Sequence, residues 1–145
     1  MANPVCEVLV TEARLNVLDN PMDPASGAIV DFQGVVRGCE NGEEINGIRY
    51  EAHREMAEHQ LKQIAERASI LFGLRFVSIH HRIGFVAVGQ VSLFMRVCSG
   101  HREAAFRASQ WIVDELKKKV PIWKRPEFKS KHLPRSSHGE PAIAT

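Results

Sequence analysis

The sequence has no long hydrophobic run. Its longest apolar stretches are only a few residues, far short of the roughly 20 that a membrane-spanning helix needs. The first four residues, Met1 to Pro4, contain neither the basic region nor the apolar core of a secretory signal. We therefore expect a cytoplasmic protein without a membrane segment.

Cysteine is also scarce. Cys6, Cys39 and Cys98 are an odd number and form no Cys-x-x-Cys pair, so neither a disulfide framework nor a zinc ribbon is specified. Strand alternation would place His80 and His81 on opposite faces, and no histidine spacing matches a zinc signature. Phosphate-binding loops, dinucleotide-binding glycine fingerprints and nucleophile motifs are absent. We expect no metal centre.

What the chain does have is an uneven distribution of charge. Its 145 residues are 44% apolar, which fits one globular domain. Residues 1–95 hold 8 basic and 12 acidic side chains, whereas residues 96–135 hold 11 basic and 4 acidic ones. A late basic segment on a slightly acidic body favours a local site for an anionic ligand.

Helical periodicity occurs in two segments. Apolar spacing predicts a helix over 55–72, with Gly73 at the position of a left-handed cap. It predicts a second helix over 101–119, which ends before Pro121 because the residue before a proline disfavours helical backbone.

Five segments have the alternating or buried pattern of strands. These are residues 5–10, 28–36, 48–52, 76–83 and 91–97. The order of strands and helices predicts an α+β (mixed α/β) fold with a single domain over 1–128. We expect a mobile loop over 38–44 and a flexible tail over 129–145.

The first candidate site is the start of the second helix, Ser99-Gly100-His101-Arg102. Unpaired backbone N–H groups and the positive end of the helix dipole make such a junction attractive to anions. Cationic side chains are unfavourable there, so a bound phosphate would relieve the conflict. An exposed helix start with solvated side chains is the alternative.

The second candidate is residues 117–125, where five cations surround Pro121 and the Ile122-Trp123 pair. A large aromatic residue beside proline favours packing, so we expect Trp123 to be anchored and to hold Lys124 where Lys117 converges from the helix. Crowded ammonium groups lower one another's pKa, which makes a lysine usable as a base or nucleophile. A solvated helix end is the alternative.

The third candidate is Gly34-Val35-Val36-Arg37-Gly38 at a strand end. The glycines permit close backbone approach, and the Arg37 guanidinium presents a fork that fits phosphate or carboxylate. A surface ion pair is the alternative.

Five segments taken together resemble the large, catalytic subunit of molybdopterin synthase over about residues 5 to 128. The most specific is Lys117-x-x-x-Pro121-x-Trp123-Lys124. The others are Gly34-Val35-Val36-Arg37, Tyr50-Glu51-Ala52-His53, His81-Arg82-Ile83-Gly84 and Ser99-Gly100-His101-Arg102.

The resemblance implies a sulfurtransferase that converts cyclic pyranopterin monophosphate into molybdopterin by installing two dithiolene sulfurs. Arg37, His101 and Arg102 would hold the phosphate and pterin. Lys117 and Lys124 would act at the reacting carbons and the sulfur donor. Three further residues would complete the substrate site: Val35, Val36 and Arg125. No cofactor is implied, since the pterin is the substrate.

The resemblance also implies an assembly. The sulfur donor would be a small ubiquitin-like subunit whose C-terminal Gly-Gly ends as a thiocarboxylate and enters the large subunit's pocket. The fold would be an α/β hammerhead with an additional antiparallel β subdomain. Two large subunits would form a homodimer with one small subunit at each outer end.

Three positions depart from the family's usual residues. Gly100 stands where alanine is common, Val35 where a polar or basic residue is common, and Pro126 where an acidic residue is frequent. Glycine at a helix start is tolerated.

Two other functional classes compete with the enzyme. A basic nucleic-acid-binding module would use residues 96–135 with Trp123 and Phe128, but the cations form no extended face in the sequence. A noncatalytic scaffold would receive the ubiquitin-like tail without transferring sulfur.

Overall fold

The structure, a computed structural model, describes residues 5–17, 19, 23–129 and 140–141. These ranges form two sheets and two helices. The helices are α1 (Arg54–Phe72) and α2 (Arg102–Lys119). The strands are β1 (Val5–Thr11), β2 (Ala28–Val35), β3 (Cys39–Glu40), β4 (Glu43–Ala52), β5 (Phe76–Arg82), β6 (Gly84–Ala87), β7 (Val91–Ser99), β8 (Ile122–Phe128) and β9 (Glu140–Pro141). The predicted α+β class is confirmed.

The first sheet has the strand order β1-β5-β7-β2, with β1 parallel to β5 and the other pairs antiparallel. Side chains alternate between the two faces of β7, and those of Leu93, Met95 and Val97 pack in the main hydrophobic core. Both helices contribute buried residues to that core, among them Leu61 and Ile112. The sheet therefore has one face covered by α1 and α2.

Both predicted helices are confirmed, and their ends have local causes. The Nδ1 atom of His53 accepts the amide of Met56 at 3.3 Å, which caps the start of α1. Gly73 closes its other end in left-handed backbone with φ 63°. At the end of α2, Val120 is extended and Pro121 follows. No helix within the described ranges is long and apolar enough to span a membrane.

The second sheet has the order β3-β4-β8-β9, and β6 also pairs with β4. It forms the additional antiparallel unit that the resemblance implies. The sequence pattern predicts no strand after Pro121, whereas residues 122–128 form β8 against β4. Ile122 is 1% exposed and starts this strand from within the core.

Residues 39–44, which lie in the segment expected to be a mobile loop, form the hairpin of β3 and β4. Asn41 and Gly42 have φ values of 51° and 79° and connect β3 to β4, with Glu40 opposite Glu43. Two successive residues with positive φ are typical of the tight hairpin turn whose twist matches that of the strands. The segment is therefore an ordered hairpin.

The expected flexible tail over 129–145 falls largely on residues 130–139 and 142–145, which lie outside the described part of the chain. Within it, Glu140 and Pro141 form β9 and pair with Lys124 and Trp123 of β8. These two residues extend the second sheet, and the flexibility of the tail stays a prediction.

We predict that Gly27→Ala destabilises the fold by about 2 kcal/mol, because its new Cβ would clash with the carbonyl oxygen of Gly100. Gly100→Ala is the matched control, since its Cβ would meet only the Ala25 oxygen at 3.8 Å. Urea unfolding measures both variants. Equal stability of the two would contradict the role of this close approach.

Candidate active site

A shallow surface cleft lies where the end of β2 meets the second sheet. Its lining residues come from three separate parts of the sequence: Val35, Val36, Arg37, Glu40, Ile48, Tyr50 and Lys124. Four of these, Val35, Val36, Arg37 and Lys124, are among the site residues expected from the sequence. We refer to this group of seven residues as the cleft.

Lys124 reaches the cleft through strand pairing. In the β4–β8 ladder it lies opposite Tyr50, and alternation gives it the same face as the buried Ile122. The expectation that Trp123 anchors this segment is wrong, because its side chain points to the other face and is 45% exposed. The aliphatic residue is the anchor, and Lys124 keeps only 20% of its side-chain surface exposed.

Glu40 is the cleft residue that sequence reasoning missed. Its Oε1 atom lies 2.9 Å from the Nζ atom of Lys124, and its Oε2 atom lies 4.0 Å from Nη2 of Arg37. The Asn41-Gly42 hairpin turn fixes Glu40 at the end of β3. The sequence held a signal for this, since Asn-Gly favours a two-residue hairpin that would order the residues on each side of it. At position 126, where the family that the chain resembles frequently has an acidic residue, this chain has proline.

Tyr50 is 2% exposed and forms the inner wall of the cleft. Burial raises the pKa of Tyr50, and the charge of Glu40 adds to the rise while a hydrogen bond with Ser92 opposes it. Its ring meets that of His81 edge to face, with centroids 5.3 Å apart. The phenol therefore stays protonated and uncharged at neutral pH. The negative charge that faces the two cations is that of Glu40.

Two expected site residues from the basic segment do not line the cleft. Arg125 lies on the opposite face of β8, where its Nη1 atom contacts Glu51 at 3.2 Å. Lys117 lies exposed in the last turn of α2. It has no ion pair within the described residues, and its ammonium group is available at the end of the helix that leads into β8.

His101 and Arg102 lie at the other end of the first sheet. His101 is the N-cap of α2, with no side-chain capping hydrogen bond, and both side chains are exposed. The preceding Ser99 pairs with Ala28 at the start of β2, whereas the cleft begins at Val35. Seven residue steps separate these positions, or about 23 Å of strand. One copy of the chain thus holds two separate cationic groups.

The described ranges contain no group of three or more His, Cys, Asp or Glu side chains placed to hold a metal ion. Cys39 is exposed, Cys6 is half-buried and Cys98 is buried, all as free thiols. The candidates for chemistry are the charged groups that converge in the cleft: Arg37, Glu40 and Lys124.

The model of the MoaE protein family matches residues 7–119. The chain is 39% identical over 121 residues to the molybdopterin synthase catalytic subunit of Thermoplasma volcanium, covering 81% of this chain and 88% of that protein. It is 38% identical to the protein of the same name from Neosartorya fischeri, covering 82% of this chain and 65% of the longer relative.

Solved structures agree with these matches. Molybdopterin synthase from Staphylococcus aureus superposes with a TM-score of 0.71 at 34% identity, covering 74% of this chain and 79% of that one. A complex of subunits 1 and 2 of molybdopterin-converting factor from Helicobacter pylori superposes with a TM-score of 0.60 at 22% identity, covering 74% of each chain. This second likeness concerns the fold alone.

We predict that His81 makes stability depend on pH. His81 is fully buried; its Nδ1–H donates to the Arg82 carbonyl at 2.8 Å, and its Nε2 has no partner among the described residues. Burial lowers the pKa of His81 to about 4, although the hydrogen bond to the Arg82 carbonyl opposes the shift. Between pH 6.5 and about 4 the unfolded chain therefore binds a proton that the folded chain does not. The free energy of unfolding should fall by up to about 3 kcal/mol as pH is lowered through this window.

Urea unfolding between pH 4 and 7.5 measures this dependence. His81→Leu should remove the part of the pH dependence of the unfolding free energy that arises from His81. His59→Gln, at an exposed helical position, should leave that pH dependence unchanged. The same slope in wild type and His81→Leu would contradict the assignment.

Proposed function

The chain belongs to the MoaE protein family, and on that premise we propose that it is the catalytic subunit of a molybdopterin synthase. It would transfer sulfur to cyclic pyranopterin monophosphate in the cytoplasm, without a cofactor of its own. The observation that carries this proposal is the convergence of Arg37 and Lys124 in one cleft, from segments more than 80 residues apart. An anionic cyclic phosphate has the charge that such a site attracts.

The cleft supports different tasks for its two cations. Arg37 is exposed at the mouth, with 72% of its side chain accessible, which suits a guanidinium that grips a phosphate not consumed in the reaction. Lys124 lies deeper, next to Tyr50. A half-buried ammonium group suits a reacting centre, where its fixed charge stabilises developing negative charge.

The sulfur transfer requires two rounds of the same exchange. In each round the thiocarboxylate sulfur forms a bond to a pterin side-chain carbon, and that carbon loses one of its bonds to oxygen. The resulting thioester is then hydrolysed by water: the sulfur stays on the pterin, and the donor leaves as an ordinary carboxylate. Lys117 and Lys124 are the residues we assign to this exchange, because an anionic donor and an anionic substrate repel each other unless cations lie between them.

The donor we propose is a small ubiquitin-like partner with a C-terminal Gly-Gly thiocarboxylate. The Helicobacter pylori structure is a complex of two subunits, which supports a two-chain assembly here. Glycine is the residue that permits the closest backbone approach, which suits a tail that must bring its terminal atoms to the half-buried Lys124. The terminal anion would enter toward Lys124.

A homodimer of this chain would complete the site. His101 and Arg102 lie about 23 Å of strand away from Val35 in the same copy, so they do not join Arg37 within one chain. We propose that the second copy supplies them to the cleft as further phosphate and pterin ligands. Arg125, held by Glu51 on the outer face, remains a predicted substrate residue.

The charge pairing disfavours a nucleic-acid-binding module. Within the basic segment, Lys119 pairs with Glu115, Lys124 with Glu40 and Arg125 with Glu51. Cations that are already paired release fewer counterions when they meet a phosphate backbone.

We predict that Lys124→Ala and Lys117→Ala each lower kcat at least about a hundredfold without loss of fold, because the first removes the ammonium group of the cleft and the second removes the exposed one that we assign to the same exchange. Lys118→Ala is the matched control, since it changes the same exposed helix end. Steady-state formation of molybdopterin measures all three, and circular dichroism checks the fold. Turnover of Lys124→Ala at the wild-type rate would exclude its catalytic role.

The direct test of the function is incubation of this chain with cyclic pyranopterin monophosphate and a thiocarboxylated partner, followed by detection of molybdopterin. We expect product with the intact partner and none with a partner that lacks its last two glycines, because the shortened tail does not reach Lys124. Product from the truncated partner would contradict the threading of the tail. Binding without any product would favour the noncatalytic scaffold.

A further inference from the structure

Glu40 places a negative charge inside a cleft whose other charged groups are cations. Its carboxylate is divided between them, with Oε1 at 2.9 Å from Lys124 and Oε2 at 4.0 Å from Arg37. Only 14% of the Glu40 side chain is exposed. An acid in this position opposes the binding of any anion, so its presence requires a physical reason.

The reason lies in the charge balance among the residues of the cleft. Two cations that converge beside the buried Tyr50 repel each other, and partial burial reduces the screening by water. A carboxylate between them offsets that repulsion. The Lys124 contact is short and half-buried, which distinguishes it from exposed pairs such as Arg107–Glu103 at 3.9 Å.

The backbone on both sides holds this pair in register. Glu40 ends β3 at a two-residue turn, and Lys124 lies in the middle of β8 opposite Tyr50. Neither residue reaches the other through a long mobile loop. The pair is therefore a fixed feature of the fold.

We propose that Glu40 is the internal counter-ion of the cleft, a positioning and specificity residue that holds Lys124 in place until an anionic ligand displaces the carboxylate. An anion that offers a single point of charge competes poorly with Glu40, whereas a ligand that also contacts the cleft walls and Arg37 displaces it. The cleft thus discriminates against small inorganic anions. This inference rests on the proposed function only in assigning the natural ligand to the cleft.

The test measures binding of inorganic phosphate to the full-length chain by isothermal titration calorimetry. Glu40→Gln removes the charge but keeps an oxygen that accepts a hydrogen bond from Lys124, so the fold is preserved. We expect this variant to bind phosphate about tenfold or more tightly than wild type, because a like charge next to the anion is gone. Glu44→Gln is the matched control, since it makes the same change on the same hairpin outside the cleft, and we expect an affinity within about twofold of wild type.

Two more variants make the outcome specific. Glu40→Asp keeps the charge and should stay closer to wild type than to Glu40→Gln. Adding Lys124→Ala to Glu40→Gln should abolish the gain, because the released ammonium group is what binds the phosphate. A general loss of structure would lower phosphate affinity and would not raise it, so the gain separates a specific role from a structural one.

The proposal is overturned if Glu40→Gln binds phosphate no more tightly than wild type, or if Glu44→Gln gains as much. These results do not depend on molybdopterin formation. If wild type forms molybdopterin and Glu40→Gln shows no gain, the counter-ion role fails and the function stands. If Glu40→Gln gains phosphate affinity but wild type forms no molybdopterin with a thiocarboxylated partner, the counter-ion role stands and the proposed function fails.

Discussion

The pairing of β8 with β4 is the constraint on which the candidate site depends. Pro121 ends α2, Ile122 is buried at the start of the next strand, and the antiparallel ladder then places Lys124 opposite Tyr50. Moving this register by one residue would turn Lys124 to the outer face, because side chains alternate along a strand. The ladder thus fixes the ammonium group of Lys124 beside the buried phenol of Tyr50.

The same ladder explains why the cleft needs its own acid. A lysine held in a half-buried place next to Arg37 has no freedom to move away from the other cation, so the fold provides Glu40 from a hairpin turn. The carboxylate and the cations form one unit, with Glu40 on β3, Lys124 on β8 and Arg37 between β2 and β3. Anion binding at this unit is an exchange of partners, and its selectivity follows from what the incoming anion contacts besides Lys124.

Sequence patterns predicted both helices and the α+β class, because apolar periodicity and capping residues are local signals. The pattern also marked Arg37 and Lys124, although it assigned the anchoring role to Trp123 and missed Ile122. Whether Trp123 or Ile122 anchors the strand depends on which face of β8 meets the core. Only the long-range pairing with β4 decides which face that is. Glu40 was missed for the same reason, since its partner is 84 positions away in the chain. The resemblance grouped His101 with Arg37, whereas β2 separates them within one copy.

The central claim is that sulfur transfer takes place at Lys124 in a cleft completed by the second copy's His101 and Arg102. Complementation between subunits tests it most directly. Mixed dimers of a Lys124→Ala chain and a His101→Ala chain are purified with two different tags and assayed beside each parent dimer. In a mixed dimer one site carries both changes and the other carries neither, so the account predicts about half of the wild-type activity from two parents that are both severely impaired. Mixed dimers as impaired as their parents would contradict it.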